Sequence, residues 1–560
     1  MAVRKRLFLR RLMISLRSAL MAETDPLPLV IRDLSFQYRS RTEPAIVDIS
    51  LELHPGEVML LAGSSGCGKT TLLRCINGLI PHSYRGKLSG DILIFGQSNA
   101  GMKLAEISQK VGTLLQDPER QILGSYVLNE VCFGLENLGL PREEMIRRGE
   151  AALERLHILH LRDKETFGIS GGEKQKVALA GVLAMQPKIL LLDEPLASLD
   201  PASAREALLL FRELADQGMA IMLVEHRVED VLTIEPERVV YMEAGRICFH
   251  GDIQGLVQVV DYHKIKLPAQ VVVERAKSEP QPNFEPAVPQ LDTSKPLIEF
   301  QQVHFRYHDD APEVLHNINL KIHAGEVIAI LGHNGSGKTT LVKQALGLLK
   351  PTKGKVFLEG VETQALTVAK AARTIGYVFQ SPSQMLFAPT VKEELSFGPK
   401  NLGFDQETIA QNVQWAIETV HLEDELLTPP LALSFGQQKR VSIASVLSMR
   451  SRILMMDEPT AGQDYWNYQA FMDSILQMPG FDSIIFITHD LDLALIYANR
   501  IIVLFDGEIV ADGKQFDVLQ DKQKINQWRL VATSLLELNF QMYPKTGKFL
   551  RAEALAQLLD

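Results

Sequence analysis

Two glycine-rich strings that each end in Lys-Thr-Thr, Gly63–Thr71 and Gly332–Thr340, have the residue types and spacing of a phosphate-binding site. Phosphate oxygens must be approached closely by backbone N–H groups. Glycines supply that room, and a following helix presents its N-terminus to the anion. In each string the lysine is expected to neutralise β- and γ-phosphates, and the threonine after it to offer a hydroxyl to Mg²⁺. The predicted phosphate-binding residues are Gly63, Ser64, Ser65, Gly66, Cys67, Gly68, Lys69, Thr70 and Thr71, and then Gly332, His333, Asn334, Gly335, Ser336, Gly337, Lys338, Thr339 and Thr340.

A pair of acids ends an apolar, strand-like run in each half of the chain. Downstream of a phosphate-binding loop, Asp193 and Asp457 are expected to hold Mg²⁺ through its water. Glu194 and Glu458 are expected to polarise an attacking water as general bases. Acids that merely cap a strand end are the alternative, and the glycine loop upstream disfavours it.

One histidine follows each acid pair at nearly the same spacing. The distance along the chain from Asp193 to His226 differs from that between Asp457 and His489 by a single position. A lone histidine after an apolar run is usually a strand-end residue with an ordinary hydrogen bond. Its repetition favours a contact with the γ-phosphate.

A serine–glycine string lies between glycine loop and acid pair in both halves, Ile169–Glu173 and Leu433–Gln437. Ser170 and Ser434 precede the aspartates of their halves by the same spacing, and each stands before a helical pattern. Taken alone, such a serine is a helix cap.

The order of these strings is the same in both halves, so one domain is duplicated. The offset that carries Asp193 onto Asp457, called the repeat offset below, is only slightly shorter than that between Lys69 and Lys338. Each half opens with β-rich text and continues as strand–loop–helix, which predicts an α/β domain with a largely parallel buried sheet. The predicted segments are a basic N-terminal extension (1–27), a first domain (28–264), a Pro-rich linker (265–296), a second domain (297–515) and a helical C-terminal extension (516–560).

Composition narrows the class of partner. The chain has a formal net charge of −10, which disfavours nucleic acid as the main partner. It contains no run of eighteen apolar residues, so no transmembrane helix is expected. Residues 1–20 carry six basic residues and no acid among apolar residues. They suit either a membrane-surface helix or a dispensable start of the chain.

Together these strings resemble the ABC family of ATPase domains, over about residues 28–260 and 297–515. The resemblance implies two tandem P-loop domains, each a mostly parallel sheet with helices plus a β-rich and a helical subdomain. It implies ATP and Mg²⁺ as cofactors. It also implies a head-to-tail pairing in which the glycine loop of one domain and the signature serine of the other grip one ATP. The resemblance adds Gln116 and Gln380 for catalysis and for metal binding, where they join Thr70, Asp193, Thr339 and Asp457. It assigns the nucleotide-binding signature to Ser170, Gly171, Gly172, Glu173, Ser434, Gly436 and Gln437. It assigns stacking on adenine to Tyr38 and Tyr307.

The text after each glutamine is similar to that of energy-coupling-factor importers of the cobalt and thiamine-precursor type. Gln116–Gly139 and Gln380–Gly403 share Val, Glu, Phe-Gly and Asn-Leu-Gly at the repeat offset. This resemblance implies a peripheral protein at the cytoplasmic face of the cell membrane. Its partners would be a transmembrane coupling protein and a membrane substrate-binding protein, and its cargo a vitamin, a vitamin precursor or a transition metal. The alternatives are a ribosome-associated ABC ATPase and the ATPase of another importer class.

Two further expectations concern differences from the family pattern and an apolar segment. Phe435 stands where the family has a glycine, and Gln463 where it has an apolar residue, so one composite site is expected to be slower. The apolar residues after the two glutamines are expected to line a groove for the coupling protein. They are Ile122, Leu123, Met385, Leu386 and Phe387.

Overall fold

The structure is a computed structural model that describes residues 26–39, 41–64, 66–115, 121–197, 199–276, 290–433, 435–459, 465–478 and 480–558. It forms two compact units. The first contains the chain up to Leu196 together with Glu206–Asp261, and the second contains Ala197–Arg205 together with the chain from Tyr262 onward. The predicted N-terminal extension, except for its last two residues, and residues 277–289 of the predicted Pro-rich linker lie outside the described residues.

The first unit holds two sheets. A four-stranded antiparallel sheet has the order β2-β1-β4-β5, and a six-stranded sheet has the order β10-β9-β3-β8-β7-β6. In the larger sheet every pairing is parallel except that of β10 with β9. The strands are β1 (Leu29–Tyr38), β2 (Ile46–Leu53), β3 (Val58–Gly63), β4 (Gly86–Ile94), β5 (Gln97–Ser98), β6 (Val111–Leu114), β7 (Ile189–Asp193), β8 (Ala220–Val224), β9 (Arg238–Glu243) and β10 (Arg246–Gly251).

Helices complete the first unit, and three of them pack on one another as a helical part, α4 with α5 and α6. The first residues of α7 belong to the second unit. The helices are α1 (Lys69–Ile76), α2 (Leu79–His82), α3 (Leu104–Lys110), α4 (Val127–Asn137), α5 (Arg142–Arg155), α6 (Gly171–Ala184), α7 (Pro201–Asp216), α8 (Val228–Val231) and α9 (Ile253–Val259).

The second unit repeats this plan, with sheets β12-β11-β14-β15 and β16-β17-β18-β13-β19-β20. Its strands are β11 (Ile298–Phe305), β12 (Leu315–Ile322), β13 (Val327–Leu331), β14 (Lys353–Leu358), β15 (Val361–Glu362), β16 (Ile375–Val378), β17 (Ile453–Asp457), β18 (Ser483–Thr488), β19 (Arg500–Phe505) and β20 (Glu508–Gly513). Its helices are α10 (Ala269–Ala276), α11 (Lys338–Ala345), α12 (Val368–Thr374), α13 (Val391–Asn401), α14 (Gln406–Thr419), α15 (Phe435–Leu447), α16 (Tyr465–Gln477), α17 (Leu491–Tyr497), α18 (Gln515–Leu519), α19 (Lys522–Gln527), α20 (Ser534–Thr546) and α21 (Ala552–Ala556).

Burial follows the periodicity of the sequence. Strands β2 and β12 alternate apolar and polar residues, and both bury the same alternate positions, because one face of each antiparallel sheet packs on a core. Strands β7 and β17 are apolar up to their final aspartates and buried at every residue, as expected for parallel strands covered on both faces. The predicted α/β class, with a mainly parallel sheet, a β-rich part and a helical part in each half, is confirmed.

The C-terminal helices form a compact addition to the second unit. Helix α10, which lies within the range predicted as linker, packs against α20 and α21. Its first amide, that of Ala269, donates to Ser534 Oγ at 2.8 Å. The aromatic rings of Phe516, Tyr543 and Phe549 contact one another beside these helices. The segment 262–276 is therefore part of the same body as the C-terminal extension.

A buried ion pair joins that segment to the helix that follows His489. Lys266 Nζ lies 2.5 Å from Asp492 Oδ2 and 3.5 Å from Asp490 Oδ1. Thr533 Oγ1 also donates to Asp492. Burial raises the pKa of Asp492, against the lowering effect of Lys266. The lysine therefore favours the charged form of this carboxylate, against the effect of burial.

Removing Lys266 should destabilise the second unit. The variant Lys266→Met leaves Asp492 as a buried charge without its cation, which costs about 3–5 kcal/mol in comparable cases. Denaturant titration followed by fluorescence measures the change. The double variant Lys266→Met/Asp492→Asn should recover most of the loss, since no buried charge remains. An unchanged midpoint for the single variant contradicts the role given to this pair.

Candidate functional site

The parallel ladders bring the predicted chemical groups to one edge of each large sheet. Asp193, the last residue of β7, pairs with Val224 at the end of β8, so Glu194 and His226 both follow at that edge. Strand β3, beside β8, ends in the glycine loop there. The second unit has the same arrangement, with Asp457 paired to Ile487. Carboxyl ends of parallel strands are where such folds bind ligands.

The glycine loops are shaped so that side chains cannot replace their glycines. Gly68 caps α1 with φ +109°, and a Cβ there would lie 2.5 Å from the carbonyl oxygen of Ala45. Gly337 caps α11 with φ +100°. Both conformations belong to the region that glycine alone adopts easily. Each loop thus exposes amides at a helix N-terminus, where an anion is stabilised.

The lysines of the two loops fold back in the same way. Lys69 Nζ donates to the carbonyls of Gly63 and Ser64 at 2.8 and 2.9 Å. Lys338 Nζ donates to those of Gly332 and His333, both at 2.8 Å. Burial lowers the pKa of Lys338, while Glu458 and Asp457 oppose that change. A buried ammonium held by carbonyls at the mouth of an amide-lined loop fits a phosphate group.

Threonine and aspartate meet in both halves. Thr70 Oγ1 donates to Asp193 Oδ1 at 3.3 Å, and Thr339 Oγ1 donates to Asp457 Oδ2 at 2.8 Å. Burial raises the pKa of Asp193 to about 6, and burial also raises that of Asp457. Such carboxyls favour a nearby cation, and a hydroxyl beside a carboxylate is an oxygen donor set that suits Mg²⁺. The residues therefore fit the metal that the sequence predicted.

Each predicted base contacts its histidine. His226 Nε2 lies 2.8 Å from Glu194 Oε1, and His489 Nδ1 lies 2.9 Å from Glu458 Oε1. Both glutamates have positive φ, +49° and +44°, a strained backbone conformation for a residue other than glycine. Burial would raise the pKa of Glu458, but His489 and Lys338 outweigh it and lower the pKa. Glu458 is thus held as a carboxylate, the form a general base needs.

The serine–glycine strings begin helices α6 and α15. Glu173 N donates to Ser170 Oγ at 3.3 Å, and Ser170 N donates to Glu173 Oε2 at 2.8 Å, which is a capping box. A Cβ at Gly171 or Gly436 would meet nothing within 4 Å, so these helix starts are open. Gln437 Nε2 donates to Glu425 Oε1 at 3.1 Å.

The two tyrosines predicted to stack on adenine lie beside the helices that follow the glycine loops. Tyr38 Oη is 3.2 Å from Thr71 Oγ1, and Tyr307 Oη is 3.1 Å from Thr340 Oγ1. Three predicted site residues, Ser65, Gln116 and Ser434, lie outside the described residues.

Three residues at this edge were not anticipated from the sequence. Tyr377 Oη donates to Asp457 Oδ2 at 2.9 Å. Glu225 is buried next to His226, and its Oε1 accepts from Leu196 N at 2.9 Å. Lys439 is buried with its Nζ on the carbonyl of Gln380. For Lys439 the sequence did contain a signal. At the repeat offset this lysine stands where the first half has Gln175, so the two halves differ in charge at that position.

Comparison with known proteins gives one consistent family. The family model described as ABC transporter matches residues 46–197 and 315–461. A Bacillus cereus protein described as an ABC transporter ATP-binding protein is 35% identical over 532 residues, 90% of this chain and 94% of that protein. A protein of the same description from Methanosarcina mazei is 34% identical over 91% of this chain and 92% of its own length. A solved structure of CbiO1 from Clostridium perfringens, titled as part of the ABC transporter complex CbiONQ, is 30% identical, covers 48% of this chain and 99% of its own, and has a TM-score of 0.39.

Among the described residues, no helix has both the length and the apolar character needed to cross a bilayer.

Glu225 should make stability depend on pH. Burial raises its pKa to about 8, from an ordinary value of 4.5. The folded protein therefore keeps this proton up to about pH 8, while the unfolded chain releases it near pH 4.5, so stability falls as pH rises through that window. In Glu225→Gln the loss of Tm between the two ends of that window should shrink, by about 2–4 °C per kcal/mol removed. Thermal unfolding across that range tests this, and equal pH slopes in both proteins would refute it.

Proposed function

Because this chain belongs to the ABC transporter family, whose ATP-binding subunits hydrolyse ATP to drive transport, we propose that it energises a membrane importer of the energy-coupling-factor type. One observation carries the ATP-hydrolysing part of the proposal: each unit brings a glycine-loop lysine, a threonine–aspartate pair and a glutamate–histidine pair to one sheet edge. Both halves keep every one of these groups, so both are expected to act on ATP.

The chemistry follows from the positions of these groups. The loop amides and the lysine neutralise the phosphates as negative charge builds up in transfer of the γ-phosphoryl group. Mg²⁺, when bound by the threonine hydroxyl and the aspartate, neutralises charge on the phosphate oxygens. Glu458 and Glu194 orient the attacking water and accept its proton. The histidine beside each glutamate holds it in place and reaches toward the γ-phosphate.

We also propose that the two domains pair head-to-tail. Each ATP then lies between the glycine loop of one half and the serine–glycine string of the other. The open helix starts at Gly171 and Gly436 support this, because they leave room for a phosphate near the helix N-termini. The finer assignment of Gln116, Gln380, Tyr38 and Tyr307 stays a prediction of the family pattern.

The importer class is supported by a pair of exposed apolar side chains that recurs in both units. Leu123 is 71% exposed and Phe133 is 43% exposed in the first unit. Their equivalents at the repeat offset, Phe387 and Phe397, are 61% and 50% exposed. The rings of Phe387 and Phe397 contact each other with centroids 4.8 Å apart. Exposed apolar pairs at equivalent positions suit the helices of a membrane coupling protein.

One residue of the predicted groove is placed differently. Leu386 is buried, 3% exposed, so its side chain is not available to a partner. The proposed docking surface is therefore the pairs Leu123–Phe133 and Phe387–Phe397. It would hold the protein at the cytoplasmic face of the membrane, under a transmembrane coupling protein and a membrane substrate-binding protein. The cargo would be a vitamin, a vitamin precursor or a transition metal.

Removing the loop lysines should abolish nucleotide binding. In Lys69→Ala/Lys338→Ala the buried phosphate loses its cation, and affinity for ATP should fall by roughly 100-fold or more at each site. Equilibrium binding of a fluorescent ATP analogue measures this. Lys343→Ala, in the last turn of the same helix as Lys338, is the control and should bind normally. Retained binding in the double variant would exclude the glycine loops as the ATP sites.

Replacing the two bases should separate binding from hydrolysis. Glu194→Gln/Glu458→Gln is expected to bind ATP normally and to hydrolyse it about 10²–10⁴-fold more slowly. Phosphate release measures the rate. Among single variants, Glu458→Gln should reduce activity more, because the site built on Glu194 is expected to use the signature interrupted by Phe435. Turnover at the wild-type rate in the double variant rules out these glutamates as bases.

Charging the exposed apolar pairs should release the protein from membranes. Leu123→Asp/Phe387→Asp places two carboxylates on the proposed docking surface, so the membrane-bound fraction in cells should fall about 10-fold or more while basal ATPase is kept. Leu209→Asp, which charges an exposed leucine on α7, is the control. Normal membrane association and transport in the double variant would place the docking surface elsewhere.

A further inference from the structure

Lys439 on helix α15 is a cation with no exposed surface. Its Nζ donates to the main-chain carbonyl of Gln380 at 2.9 Å and to that of Phe379 at 3.4 Å. Burying an ammonium is costly unless carbonyls or carboxylates compensate it. The helix that begins with the serine–glycine string is therefore fastened to the chain that leaves β16, which is where Gln380 lies.

The first unit uses the same helix position differently. Gln175 is the equivalent of Lys439 at the repeat offset and is also buried, and its Nε2 donates to the carbonyl of Pro195. Pro195 follows the predicted base Glu194. A neutral amide thus ties α6 to the loop after the acid pair, whereas an ammonium ties α15 to the loop of the glutamine.

The surroundings of Lys439 are acidic. Burial lowers the pKa of Lys439 to about 8, and the charges of Asp457 and Glu458 oppose that change. Asp457 is itself held by two donors on one oxygen, Thr339 Oγ1 and Tyr377 Oη. The two carboxylates therefore favour the charged form of Lys439. The first unit has the neutral Gln175 at the equivalent position, so it has no positive charge there.

We propose that Lys439 is a positioning residue for ATP hydrolysis in the second unit, holding the chain of Gln380 in place and balancing the charge of Asp457 and Glu458. The proposal rests on the proposed ATPase function. It concerns the metal-dependent step and not the capture of the nucleotide, which belongs to the loop around Lys338. Removing the ammonium should therefore weaken metal binding and turnover while leaving metal-free nucleotide binding alone.

The variant Lys439→Gln tests this, because the first unit already accommodates glutamine at that position. In the Glu194→Gln background, turnover reports the site that contains Lys338, Asp457 and Glu458. There kcat should fall and the Mg²⁺ concentration for half-maximal rate should rise, each by about 10-fold. In ATP-loaded Glu194→Gln/Glu458→Gln protein, Mn²⁺ binding followed by electron paramagnetic resonance should reveal one of two sites weakened to the same extent. Binding of a fluorescent ATP analogue without divalent metal should be unchanged.

Arg440→Gln is the matched control. It removes the adjacent cation on the same helix, whose Nη1 donates to the carbonyls of Val420 and His421. A purely structural role predicts equal effects for both variants, or a Lys439→Gln protein that binds metal normally, and either result overturns the proposal. If the parent proteins fail to bind ATP, it is the proposed function that is wrong. If the parent proteins are active and Lys439→Gln behaves like them, only the role of Lys439 is wrong.

Discussion

The parallel hydrogen-bond ladders among β3, β7 and β8, and among β13, β17 and β18, determine where chemistry is possible in this protein. They fix the ends of three buried strands at one edge, and the glycine loop, the acid pair and the histidine each leave from one of those ends. Nothing else in the described chain would bring Lys338 close to Asp457, which is far from it in sequence. The buried apolar runs of these strands are therefore as necessary to the predicted site as the residues expected to touch ATP.

Duplication has kept the predicted catalytic groups and changed the residues that contact them. Glutamate meets histidine in both units, but through Nε2 of His226 and Nδ1 of His489. Asp457 accepts a second hydrogen bond, from Tyr377. At the position of Tyr377 the first unit has Thr113, whose hydroxyl accepts a hydrogen bond from Asn77 instead. These differences change the hydrogen-bond partners of each predicted catalytic group and leave the group itself the same. They offer a physical route by which two similar sites could run at different rates.

The sequence was sufficient for the fold class and for the contacts that depend on strand ends. Thr70 and Asp193 were predicted to share a metal, and they meet because a helix start and a strand end converge. Tyr377, Glu225 and Lys439 were missed for a common reason. Each has a partner that periodicity does not reveal, such as Leu196 N for Glu225, and on a strand or helix each looks like an ordinary residue. Leu386 was misplaced because an apolar residue in a loop can turn inward as easily as outward.

The packing of α10 on the C-terminal helices alters how the Pro-rich text should be understood. Ala276 ends a helix held by the second unit, and Asp292, on the other side of residues 277–289, pairs with Ala324 of that same unit. A protease cut within 277–289 would therefore leave the polypeptide in two pieces that are still joined by the α10 interface. The N-terminal piece would stay bound to the C-terminal piece through the packing of α10. The proline-rich segment could therefore be cut or lengthened without separating the two halves of the protein.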